Sequence, residues 1–281
     1  MNFIDAILNF AAVLLWLQWR SLRTAHPPVQ TRSLLSLLQP TDKPLAAARI
    51  LLFLAALLLT RALFYWQIGA PLRWVPTLPF GPVPVPFRSD FFGLMLLYSV
   101  LAAAHAILVM YFWLLLLSAV NRRVPDSEPF QRWVRLHLGR AERLPAWAKL
   151  LLPAVLVAFA WLAVNPLLVR LHLLPAPKHF AHLAEEAFVV GLGACLAWKL
   201  LLLGVLVLYV VQSYVFFGAH PFWRFIDATG RNLLQPLAAV PLRVGRVDFA
   251  PLALIALIWA AAWWLGEPRY GLPKLIRSLP L

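Results

Sequence analysis

A chain of 281 residues that is 62% hydrophobic and only 13% charged cannot keep its apolar surface from water, since soluble domains carry roughly 25% charged residues. A mean hydropathy of +0.78 points to lipid as the solvent. Cys195 is the single cysteine, which excludes an intrachain disulfide or a cysteine metal cluster, and the net charge of +14 is dispersed among apolar runs rather than gathered on one nucleic-acid-binding face.

Six apolar runs approach or exceed the roughly 18 to 20 residues that a helix needs to cross about 30 Å of hydrocarbon. The first, residues 3–19, is interrupted by Asp5 and two amides and closed by Arg20 and Arg23. It lacks a basic leading segment, and Trp16-Leu17-Gln18-Trp19 is not a small-residue cleavage site, so it reads as a retained anchor. The second, 45–68, holds Arg49 at its start and Arg61 within. Residues 71–88 then bring six prolines and Gly81, which deny helix and favour an extended outer loop. The third run is 91–120, and the fourth, 148–168, has prolines near both ends. The fifth, 187–217, would be about 46 Å long as a helix, so it must tilt, bend or protrude. The sixth is 249–265.

The fold class expected is therefore all-α: a polytopic helical membrane protein of about six spans. Of the 25 Lys and Arg residues, sixteen fall in the segments after the first, third and fifth runs and seven in the other segments. Cationic loops are retained in the cytoplasm, which predicts both long basic loops inside and both termini outside.

The second half of the chain repeats itself. Pro129-Phe130-Gln131-Arg132-Trp133-Val134 returns as Pro221-Phe222-Trp223-Arg224-Phe225-Ile226, and Pro153 leading to Trp161 returns as Pro251 leading to Trp259. In each copy an apolar run, a basic stretch and a proline-opened apolar run follow one another, the pattern of an internal duplication. The organisation predicted is a two-helix unit over 1–70, a proline-rich outer loop over 71–90, a degenerate first repeat over 91–174, a second repeat over 175–267 and an outer tail over 268–281. Within the basic stretches, Phe130, Trp133, Val134, Leu136 and Leu138 alternate with arginines and His137, as in a helix lying at the headgroups. Such a helix is a simple anchor or a platform for a protein or lipid partner.

The stretch His220-Pro221-Phe222, Arg231-Asn232-Leu233-Leu234-Gln235-Pro236, and Arg246-Val247-Asp248-Phe249-Ala250-Pro251 resembles the YggT family of small integral membrane proteins. His220 stands where that family usually has Asn, Gln235 where it has Arg, and Ala250 where it has Ser. The first copy keeps Pro129, Phe130 and Pro153 but has no Asp before Pro153. The likeness covers about 91–265. It implies a multi-pass inner-membrane protein without cofactor, linked through the family to osmotic tolerance and ion uptake, to placement of division structures, or to haem maturation in plastids. It carries over no catalytic residue. Independently of it, Asp248 and Pro251 read as a helix start, a carboxylate accepting from free N–H groups and a proline in the first turn.

Ionisable groups inside a membrane are expensive and mark candidate sites. Arg61 lies near enough to the outer end of its run to snorkel. His105 is mid-run and Lys199 sits in the over-long fifth run, at nearly matching distances before Pro129 and Pro221, so the duplication could set them face to face. His179, His182 and Glu186 share a helical face and are the weak candidates for a metal site. No phosphate loop, zinc-protease motif or activated nucleophile is present. The function expected is a non-catalytic assembly or scaffold factor that contacts the bilayer and other membrane proteins or itself. The alternative is a channel or permease for ions or osmolytes, whose polar path would be lined by His105, Lys199 and Ser99, whereas a dry bundle with an aromatic exterior groove favours scaffolding.

Overall fold

The computed structural model describes residues 2–24, 43–69, 71–72, 74–125, 128–177, 179–215, 218, 220–240, 242–244, 247–267 and 271–278. Most of the first basic loop, Arg246 of the motif and parts of the expected tail lie outside these.

The fold is all-α and polytopic. Its helices are α1 (Asn2–Thr24), α2 (Lys43–Gly69), α3 (Phe92–Val120), α4 (Pro129–Leu138), α5 (Ala146–Arg170), α6 (Phe180–Gly193), α7 (Trp198–Tyr214), α8 (Pro221–Leu234), α9 (Ala250–Gly266) and α10 (Leu272–Ser278). Two short hairpins, β1 (Thr77–Phe80) with β2 (Val83–Pro86) and β3 (Arg243–Val244) with β4 (Val247–Asp248), are the sheet among the described residues. Five helical stretches are long and apolar enough to cross a membrane: 3–23, 45–69, 92–120, 146–170 and 180–214. The sixth expected run folds as α9, whose 17 residues reach about 26 Å, the short limit for spanning. Large apolar side chains such as Phe53, Phe159, Phe188 and Trp259 are exposed on these helices, as lipid-facing surfaces require.

The chain forms two compact units, 1–78 with 86–110, and 79–85 with 111–281. In the first, α1 packs along α2, and the buried Ser99 hydroxyl donates to the Leu58 carbonyl at 2.8 Å. Tyr65 meets Trp74 edge-on at 4.8 Å, and Phe87 meets Tyr98 at 5.5 Å. Before α3, Arg88 and Asp90 pair at 2.7 Å, and the guanidinium holds the Asp90 carboxyl below its ordinary range.

In the second unit, α5 packs on α6, and α7 on α8 and α9. The expected polyproline-like stretch instead makes the β1–β2 hairpin, because its prolines alternate with residues free to pair. Gly81 turns it with φ 57°, a conformation strained for any side chain. The hairpin tip rests where α6 ends: a Cβ on Gly193 would lie 2.4 Å from Pro82, and Phe80 lies 5.9 Å from the Trp161 ring.

The over-long fifth run changes helix type part-way. A 3₁₀ segment, Ala194–Ala197, separates α6 from α7, and its altered hydrogen bonding frees backbone carbonyls. Trp113 of α3 donates its indole N–H to Ala197 at 2.8 Å, and Trp198 donates to Phe112 at 3.2 Å. The two indoles tie the 3₁₀ segment and the start of α7 to α3.

Gly191 permits the close approach of α5 and α6, since a Cβ there would sit 2.4 Å from the Ala154 carbonyl oxygen. Backbone cannot yield as a side-chain tip can. Gly191→Ala is expected to destabilise the protein by about 1–3 kcal/mol, the usual cost of overpacking, read as a lower thermal midpoint of detergent-purified protein, with Gly204→Ala, which meets open space, as the silent control.

Candidate functional site

Asp5 lies in the first turn of α1, with Asn9 four residues on. Arg61 and Tyr65 have the same spacing on α2, so each helix presents a polar pair on one face. Packing brings the pairs together. Arg61 Nη2 donates to Asp5 Oδ1 at 2.6 Å and Nη1 to Asn9 Oδ1 at 2.7 Å. The Tyr65 hydroxyl donates to Asp5 Oδ1 at 2.6 Å and that of Tyr98 to Oδ2 at 3.3 Å. The guanidinium carbon also lies 5.5 Å and 5.2 Å from the Tyr65 and Tyr98 ring centres.

This corrects the expectation that Arg61 snorkels. Arg61 is 3% exposed and turned inward, because a carboxylate within reach offsets its charge where lipid would not. The signal was present in the sequence: Asp5 and Asn9, Arg61 and Tyr65, are the i, i+4 polar residues of two apolar runs. Chemically the cluster is a charge pair whose carboxylate is shared by the guanidinium and two phenols, with Asn9 taking a second guanidinium N–H.

The second constellation joins the two copies of the repeated motif. Pro129 opens α4 and Pro221 opens α8, each at the first helical position, where no N–H is needed. His220, the N-cap of α8, accepts from the Phe222 N–H through Nδ1 at 3.2 Å. Phe130 lies edge-on to Phe222 at 5.6 Å and 5.8 Å from Phe225, above a buried core of Val205, Phe225 and Ile226. Arg224 reaches Glu128 at 3.8 Å, tying the start of α4 to α8. Beside Phe130, an open apolar groove of about 350 Å³ is lined by Pro129, Phe130 and Trp133.

A buried polar network that composition does not reveal anchors α8 to the end of α3. Asn121 Nδ2 donates to Thr229 Oγ1 at 2.8 Å, Asn232 Nδ2 donates to Asn121 Oδ1 at 3.0 Å, and Thr229 returns its proton to the Phe225 carbonyl at 2.7 Å. Satisfied networks of this kind fix one packing register.

The other motif residues are structural in their surroundings. Arg231 is exposed and pairs with Asp227 at 2.9 Å, Leu234 ends α8, and Pro236 lies in the following 3₁₀ turn, Gln235–Leu237. Asp248 accepts from the Ala250 N–H at 2.9 Å as expected of a helix start, and Pro251 is the buried second residue of α9. The first copy departs here: Pro153 does not open a helix but lies buried inside α5, which begins seven residues earlier. The reason is that Ala146–Leu152 has helix-forming side chains and Pro145 already supplies the start.

His105 belongs to the first unit and Lys199 to the second, where it is the second residue of α7, near the middle of the 180–214 run. His179 is the exposed N-cap of α6, and His182 Nε2 lies 3.4 Å from Glu186 Oε1. Among the described residues no three metal-ligating side chains converge, so His179, His182 and Glu186 form no ligand set.

No family model matches the chain, and no curated protein or solved structure matches it either.

Replacing Arg61 by Met, or Asp5 by Asn, is expected to destabilise the protein by about 3–5 kcal/mol, because each leaves a buried partner uncompensated. The double variant should recover most of that loss. Thermal unfolding of the three variants in detergent makes the double-mutant cycle, and strictly additive losses would contradict the pairing.

Proposed function

We propose that this chain is a non-catalytic, multi-pass protein of the inner (plasma) membrane, of the YggT type, that acts as an assembly or scaffold factor by holding a second membrane protein. The observation that carries this reading is the open groove of Pro129, Phe130 and Trp133 beside the paired Pro-Phe elements. It is apolar at its floor, and the exposed Arg132 and Arg224 stand on the same two helices. That chemistry suits a membrane-surface segment with an aromatic or aliphatic anchor flanked by carboxylates.

The permease reading has less support. Ser99, one of the residues that would line its path, spends its hydroxyl on the Leu58 carbonyl. Asp5 and Arg61 neutralise one another and leave no vacant carboxylate relay in their cluster.

A photo-crosslinking amino acid at Trp133 should capture a protein peptide carrying acidic residues beside its apolar anchor. Charge reversal of the exposed arginines on these helices, Arg132→Glu with Arg224→Glu, should abolish the capture. Crosslinks to lipid alone, or capture indifferent to the reversal, would remove the scaffold reading.

The basic segments are placed in the cytoplasm by their charge. In a Cys195→Ser background, single cysteines at Arg132 and Arg224 should be shielded from an impermeant thiol reagent in intact cells, while one at Pro84 should react. Labelling of Arg132→Cys and Arg224→Cys from opposite sides would overturn the topology.

A further inference from the structure

At the level where α3 ends and α5 begins, the second unit contains a cavity of about 320 Å³, lined by Ser118, Arg122, Glu142, Arg143, Lys149 and the apolar turn Leu144–Ala146. Its volume equals that of roughly ten waters in the liquid. Three cations and one carboxylate face it. The carboxylate is already engaged: Glu142 accepts from the Ser118 hydroxyl and lies 3.1 Å from Lys149 and 3.6 Å from Arg135. Lys149, near the start of α5, is 4% exposed and donates to Ser118 Oγ at 2.6 Å. Arg122 and Arg143 are exposed and have no acidic partner among the described residues.

Among the described residues the cavity therefore carries more positive than negative charge, with one buried ammonium held in place by Ser118 and Glu142 and two exposed guanidiniums that have no acidic partner there. Guanidinium forks suit phosphate oxygens. The free N–H groups at the start of α5, which has no side-chain cap, add to the same field. Since α3 and α5 are both of membrane-spanning length and end here, the cavity stands at headgroup depth.

We propose that this cavity binds an anionic phosphate group, presented by the headgroup of an anionic phospholipid. The inference goes beyond the scaffold reading and does not depend on it, since it uses other residues. Arg122 and Arg143 close over the phosphate, Lys149 meets it from below, and the Leu144–Ala146 turn accommodates the glycerol.

Lipid retention by the purified full chain, measured by native mass spectrometry, tests this with phosphatidylglycerol against phosphatidylcholine. Phosphatidylglycerol should be retained preferentially, and Arg122→Gln with Arg143→Gln should weaken it roughly thirtyfold, from about fivefold per cation near an anionic surface. Both side chains are exposed, so the fold should survive. Arg170→Gln with Arg231→Gln, exposed elsewhere on the surface, should leave retention unchanged. In phosphatidylcholine nanodiscs, a thermal shift with inorganic phosphate that the first pair abolishes would assign the same site to a phosphate from solution. Equal retention of the two lipids without such a shift, or equal losses in both pairs of variants, would overturn the proposal.

Discussion

Hydrocarbon gives a charged side chain nothing to bond to, and that constraint organises the interior of this protein. Asp5 and Arg61 each lie in an apolar run that could not carry its charge alone. Brought together at 2.6 Å, and shared with Asn9, Tyr65 and Tyr98, the two charges become a reason for α1 to dock on α2 in one register. Apolar faces cannot supply that register, because lipid tails compete with every Leu–Leu contact.

The second unit meets the same constraint differently. Among its buried polar groups, the amides and hydroxyl of Asn121, Thr229 and Asn232 are joined in a chain that fastens α8 to the end of α3. The 3₁₀ segment in the fifth run follows the same rule: its Ala197 carbonyl receives the indole N–H of Trp113, and Trp198 just after it donates to the Phe112 carbonyl of α3. Beside that network the repeated Pro-Phe elements pack ring on ring and expose the groove that the scaffold reading uses. The surplus charge that remains, at Arg122, Arg143 and Lys149, gathers where the helices leave hydrocarbon and anions are within reach.

Much of the fold was legible in the sequence because run length and hydropathy are local properties. The long runs, the excess length of residues 187–217 and the Asp248 helix start all follow from residues near one another in the chain. The sites were less legible. Arg61 was singled out, but its partner is 56 residues away, and Asp5 looked like a blemish in a marginal run. Pro153 matched Pro251 by spacing, yet only the structure shows it inside a helix, since Pro145 starts α5 instead.

The sequence by itself determined the solvent, the helical class and the approximate spans, because each depends on composition or on short-range pattern. Tertiary structure alone decided which polar groups meet. It paired Asp5 with Arg61, Asn121 with Thr229 and Phe130 with Phe222, and it buried Lys149 under a cavity. The physical reason is that a hydrogen bond or an ion pair acts over about 3–4 Å in space whatever the separation along the chain, and hydropathy carries no record of which helix faces which.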